Sequence, residues 1–150
     1  MSGASSKIEF HYLVDPFTFK HRQKVKAFIN RLLKKNHKRV EHINYIFCSD
    51  DYLLELNKTH LKHNTLTDII TFELSPKGED LLADIYISID RIRENASIFQ
   101  SSFTRELHRV IFHGALHLCG YKDKSKQDAI MMRSLEEKWL DIYFVPRGTK

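Results

Sequence analysis

Apolar residues along the chain change period in a way that sketches the fold before any other property is used. Phe10, Tyr12 and Val14 alternate with polar neighbours, so residues 8–14 read as a strand that Asp15-Pro16 closes. Across 17–35, Phe17, Val25, Phe28, Ile29, Leu32 and Leu33 recur at helical spacing with basic residues between them. Period two returns over 41–48, where His42 and Asn44 alternate with Ile43, Tyr45 and Phe47. Ser49 followed by Asp50 and Asp51 supplies a cap and two acids for a short helix ending at Leu56 or Asn57. A polar loop over 58–66 follows, then strands at 68–74 and 82–88 around a Ser75-Pro76-Lys77-Gly78 turn, which predicts a hairpin. Beyond Ser88 the period is helical throughout. One helix is expected near 90–100 and another over 103–118, stopped by Gly120; a third starts after Ser125, whose partner three residues on is Asp128. The class is α+β: a small mixed sheet of about four strands with helices packed on it, in one domain spanning 1–150. Residues 1–6 are expected to lack order.

The 150 residues, 42% hydrophobic and 29% charged, have the balance of a soluble globule large enough to need no disulfide. Met1 to Ser6 have neither the charged start nor the apolar core of a signal peptide, and no apolar run approaches the roughly 20 residues that cross a bilayer. Cys48 and Cys119 form no CxxC pair and read as reduced thiols without a disulfide partner, which points to the cytoplasm and away from a membrane. The net charge of +5 is concentrated early, with eleven basic or histidine positions from Lys20 to Arg39 before the next acid, Glu41. Such a segment favours polyanions, and it is equally the solvated face of an ordinary helix.

The chemistry concentrates in the stretch from His113 to Asp123. Histidines four apart on a helix stand one turn above each other and can share one ion. Gly120 then ends the helix and permits the reversal that returns Asp123 over the same face. His113, His117 and Asp123 are therefore the expected ligands of a single divalent ion at the end of a helix in the C-terminal half. Zinc suits this set of two nitrogens and one oxygen, with a fourth position open to water. The spacing matches metzincin-type sites except at Gly114, where those proteins carry their general base. That difference argues against a peptidase.

The same stretch, His113-Gly114-Ala115-Leu116-His117-Leu118-Cys119-Gly120-Tyr121-Lys122-Asp123, resembles the signature of the YbeY family of ribosomal-RNA maturation factors. That signature reads H-G-x-L-H-L-x-G-Y-D-H. Two further blocks are similar: Leu56-Asn57 with Thr67-Asp68-Ile69-Ile70-Thr71-Phe72, and Ala83-Asp84-Ile85-Tyr86-Ile87-Ser88. Lys122 and Asp123 stand where the family has Asp and a third His, and His60-Leu61 where it has Tyr-Arg. The resemblance implies a metal-dependent, single-strand-specific endoribonuclease that processes ribosomal RNA, with ribosomal RNA or ribosome components as partners. Leu61, unlike the family's Arg, cannot donate to a phosphate. The alternative is a non-catalytic, zinc-stabilised assembly factor, with a metallopeptidase third.

On the nuclease reading, Lys62, Lys122, His60 and His63 are the candidate catalytic cations, because their loops are expected to flank the ion. Thr67 and Asp68 are candidates to shape the site, although a Thr-Asp pair at a strand start is also plain turn chemistry. Lys24, Lys26 and Arg31 are the candidate RNA contacts, since ammonium and guanidinium groups are rarely buried unpaired.

Overall fold

The computed structural model describes residues 7–17, 19–61 and 67–145. Residues 1–6 and the candidates Lys62 and His63 lie outside this set, as does the side chain of Leu61. Four strands form one sheet: β1 (Ile8–Tyr12), β2 (Val40–Cys48), β3 (Ile69–Glu73) and β4 (Leu81–Ser88). Their order is β1-β2-β4-β3, with β1 and β4 parallel to β2 and only β3 antiparallel, paired with β4. The mixed sheet and the hairpin expected from the sequence are both present.

Five α-helices complete the fold: α1 (Arg22–Lys35), α2 (Asp50–Leu56), α3 (Ile89–Ile98), α4 (Phe103–Leu118) and α5 (Lys126–Phe144). Four of them begin as capping chemistry predicts. The hydroxyls of Ser49, Ser88, Ser102 and Ser125 each accept a hydrogen bond from the backbone N–H three residues on. Helix α1 has no such cap and starts later than its apolar period suggests, after His21 in the left-handed region. Phe17, counted with that helix in the sequence, instead packs edge-on against Tyr12, Phe47 and Phe103, and this aromatic anchor holds the preceding chain out of helical register. The start of the expected 58–66 loop is a π-helical turn, Asn57–Leu61, continuing α2.

The core lies between one face of the sheet and helices α1, α4 and α5. Ile43, Tyr45, Phe47, Ala83, Ile85 and Ile87 meet Val25, Ile29 and Leu32 of α1 and Val110, Ile111 and Ala115 of α4, all buried. Alternation along the strands sends every second residue into this layer. The Tyr45 hydroxyl donates to the Ile111 carbonyl at 2.9 Å, which ties α4 to β2 inside the apolar layer. On the other face a smaller cluster of Cys48, Leu53 and Ile70 is covered by α2.

Gly114 is where α4 comes closest to the sheet. A Cβ there would lie 3.1 Å from Ile69 Cδ1 and 3.2 Å from Ile85 Cγ2. The position that bears the general base in metzincin-type helices thus faces the sheet, and a carboxylate in it would enter the core. Gly114→Ala should stay within about 1 kcal/mol of the parent, because better helix propensity offsets the crowding of Ile69 and Ile85. Gly114→Glu should lose roughly 3 kcal/mol or more, since it buries an unpaired charge. Urea denaturation midpoints of the two variants test this; equal midpoints would show that the helix–sheet gap is wider than described.

Candidate metal centre

Helix α4 ends in a Schellman motif, and the site depends on that ending. Gly120 N–H donates to His117 O at 2.9 Å and Tyr121 N–H to Leu116 O at 3.2 Å, with Gly120 at φ 103°. Such a φ favours glycine, since other residues meet a Cβ penalty there. The reversal turns Tyr121 O back toward the last turn, where it accepts from His117 Nδ1 at 2.9 Å. It also returns Asp123 to both histidines, with Oδ2 at 3.3 Å from His113 Nε2 and 3.5 Å from His117 Nε2.

Both imidazoles are oriented from behind. A carbonyl can only accept, so His117 Nδ1 must carry a proton. Glu136, on α5, accepts from His113 Nδ1 at 2.5 Å. In the neutral rings both Nε2 atoms are then bare lone pairs directed at the Asp123 carboxylate. One atom from each of the three residues lies within 4.8 Å of the others. Three acceptors converging with no hydrogen between them are a ligand set for a cation, and the Nδ1 partners are the outer support that metal-bound histidines use. Burial lowers the pKa of His117, as does the neighbouring His113, with Asp123 and Tyr121 O opposing in part. The ring therefore stays neutral, as a ligand must be.

Glu136 is itself buried and belongs to a network that the sequence reading missed. Its other oxygen accepts from Arg109 Nη1 at 2.8 Å, and Arg109 also grips Glu106 through two hydrogen bonds of 2.6 and 3.0 Å. Burial would raise the Glu136 pKa, but the hydrogen bond from His113 and the charge of Arg109 outweigh it and hold the carboxyl below its ordinary range. Arg109 further faces Asp68 at 3.8 Å. A signal was available: Met132, Glu136, Trp139 and Tyr143 are the buried stripe of α5, and a glutamate in an apolar stripe requires a buried partner.

The ligands open onto a cleft of about 830 Å³ lined also by Asn57, Thr67, Asp68, Thr71, Glu73 and Lys124. Thr67 and Asp68 thus lie where the sequence placed them, and burial raises the Asp68 pKa although Arg109 opposes it. Among the described cations Lys124 lines this cleft, whereas Lys122 is exposed and is not part of the lining. His60 is exposed with its ring edge-on to Phe72, which packs on the α2 side of the sheet. The three basic candidates on α1 are separated: Lys24 lies over Tyr143, Lys26 over Phe10 and Arg31 over Phe28. Cys48 and Cys119 are free thiols, and burial pushes them up to about 12 and about 11 respectively.

Three outcomes check this geometry. Glu136→Gln should weaken metal binding by about 10–100-fold while the protein stays folded, read by competition with a chromophoric chelator. Asp123→Ala should weaken it strongly, and Asp123→His should keep or tighten it; unchanged affinity in Asp123→Ala would reduce that residue to a turn-forming role. In chelator, stability should fall in two steps on acidification. His117 and His108 both have lowered folded pKa values, so the unfolded chain takes up their protons first and stability is lost as the pH falls below about 6.5. Glu136, also lowered, contributes stability that is present above about 4.5 and is lost as the pH falls through its folded value. Thermal melts across that range, with Glu136→Gln lacking the lower step, are the measurement.

A family model described as Endoribonuclease YbeY matches residues 13–143. The chain is 46% identical over 141 residues to an Endoribonuclease YbeY of Flavobacterium psychrophilum, covering 94% of this chain and 99% of that protein. It is 43% identical to one of Cytophaga hutchinsonii, over 84% of this chain and 88% of the other. In structure it is similar to TM1509 from Thermotoga maritima, solved in solution, with a TM-score of 0.62, 27% identity and coverage of 91% of this chain and 89% of that one. With the matched segment spanning β2 to β4 and the His113–Asp123 stretch, the chain belongs to the Endoribonuclease YbeY family.

Proposed function

We propose that this chain is a metal-dependent hydrolase that cleaves single-stranded ribosomal RNA during ribosome maturation in the cytoplasm, with one zinc ion as cofactor. The observation that carries this reading is a group of three candidate ligand residues lining an open cleft, in a member of an endoribonuclease family. Two imidazoles and one carboxylate suit zinc by ligand type. Within the described residues no helix is long and apolar enough to cross a membrane.

The residues divide the work as follows. His113 Nε2, His117 Nε2 and Asp123 Oδ2 hold the ion, while Glu136 and Tyr121 O fix the ring orientations. A divalent ion held there supplies Lewis acidity toward a phosphoryl oxygen and acidifies a bound water. Asp123 adds negative charge at the centre, where the family pattern has a neutral imidazole. Lys124, at the cleft wall, is placed to face a phosphate. Asp68 borders the same cleft; burial raises its pKa, and Arg109 at 3.8 Å opposes that shift. Lys62, His63, His60 and Lys122 remain candidate contributors of positive charge, and Lys24, Lys26 and Arg31 candidate contacts to the RNA backbone.

The deciding assay incubates metal-replete protein with single-stranded and structured fragments of ribosomal RNA. Cleavage of the single-stranded fragments should fall by about 100-fold or more in His117→Ala, together with metal content. Equal cleavage by parent and variant would mark a contaminating nuclease; binding without cleavage by either would make the chain an assembly factor. Affinity should also fall steeply with salt, by about 0.7 log units per phosphate contact for each log unit of salt.

A further inference from the structure

The metal cleft is acidic apart from Lys124: Asp68, Glu73 and Asp123 line it. It is suited to a cation and poorly suited to holding a polyanion by itself. Positive charge collects elsewhere. Lys7, Arg31, Lys34, Lys35, Lys38 and Arg39 line a groove of about 880 Å³ whose remaining walls are Ala27, Asn30 and Val40, with no carboxylate among them. One nearby acid reaches in, Asp80, at 3.9 Å from Arg39.

Complementing the helix dipole explains two of these residues, since Lys34 and Lys35 occupy the last turn of α1. It does not explain Lys7 from the start of β1, Arg31 from the preceding turn, or Lys38 and Arg39 from the approach to β2. Like charges from three segments around one groove repel each other unless a counter-charge is bound. The groove also adjoins the metal loop. Tyr121, whose carbonyl fixes His117, donates its hydroxyl to Oδ1 of Asn36, the residue that ends α1, at 3.3 Å. Lys7 and Val40 lie where β1 and β2 begin; the cleft runs along β3 from Thr67 to Glu73, and its Glu73 end, paired with Ala83 near the start of β4, lies at that same end of the sheet. The span from β1 to β3 is three strand spacings of about 4.8 Å, within reach of a few nucleotides.

We infer that this groove is an exosite for the sugar-phosphate backbone of the strand cut at the metal centre, so that RNA must exceed a minimum length to bind well. This rests on the ribonuclease reading. Recognition there is by charge and independent of sequence, because the lining contains no aromatic ring on which a base could stack.

Fluorescence anisotropy with single-stranded oligouridylates of roughly 4 to 20 nucleotides, a range that brackets known single-strand sites, tests the inference. Parent affinity should rise with length and level off once the groove is filled. Lys34→Glu/Lys35→Glu/Lys38→Glu should lower affinity for the longer oligomers by about tenfold or more, leave the shortest nearly unchanged, and reduce the salt slope by about 2. Lys7→Gln/Arg31→Gln/Lys38→Gln, which spares the last turn of α1, should repeat the pattern if the first variant is unstable. Lys77→Glu/Lys126→Glu/Lys138→Glu, exposed lysines outside both the groove and the cleft and with the same change in net charge, should cost the long oligomers clearly less. Equal losses in both Glu variants, or a loss independent of length, would overturn the exosite. Cleavage of the same oligomers is the separate arm: a parent that binds with length dependence but never cuts rejects the ribonuclease reading and keeps the groove.

Discussion

A buried carboxylate organises the functional half of the molecule. Glu136 sits in the apolar stripe of α5, where an unpaired charge would cost several kcal/mol. It is tolerated because two donors converge on it, His113 from one side and Arg109 from the other. Removing Glu136 takes the partner from His113 Nδ1 and leaves Arg109 held by Glu106 alone at hydrogen-bond distance. The pairing therefore locks α4 to α5 and, by the same contact, sets the direction of the first metal ligand. Packing and function are joined at one atom pair, which is why the docking of α5, the most C-terminal helix, bears on chemistry contributed by α4.

The second ligand is controlled by backbone geometry instead. Gly120 adopts a conformation that favours glycine, and the Schellman turn that results aims a carbonyl at His117 and a carboxylate at both rings. Gly114 has a different role on the same helix. Its missing side chain lets α4 approach Ile69 and Ile85, which brings the histidines to the edge of β3 and so to the cleft. The two glycines of this stretch, together with the Glu136 contact, position a site whose ligands all come from eleven consecutive residues.

Charge is then distributed by task. Acids gather around the place for a cation, and cations gather at the neighbouring groove, joined through Tyr121 and Asn36. Such a separation avoids a compromise: lysines beside the candidate ligands would weaken cation binding by repulsion, while acids in the groove would cancel its positive field.

Much of this was legible in the residues themselves. The periods of two and of about 3.6 located every strand and helix, because side-chain alternation and helical stripes follow from backbone geometry alone. Serine caps and Gly120 marked their ends, and the His113–His117–Asp123 spacing brought three candidate ligands together, since contacts within one helix and its turn are fixed by local geometry. Tertiary structure decided whatever depends on residues distant in the chain. The start of α1 moved because Phe17 is held by Tyr12, Phe47 and Phe103. Glu136 and Arg109 acquired their roles only when α5 docked on α4. Lys122 and Lys124 are both exposed, and of the two Lys124 lines the cleft. The basic run from Lys20 to Arg39 divided as well: Lys24 and Lys26 lie over aromatic rings away from the groove, whereas Arg31, Lys34, Lys35, Lys38 and Arg39 line it. Charge can be counted along a chain, but which charges share a surface is settled by how the helices and strands pack.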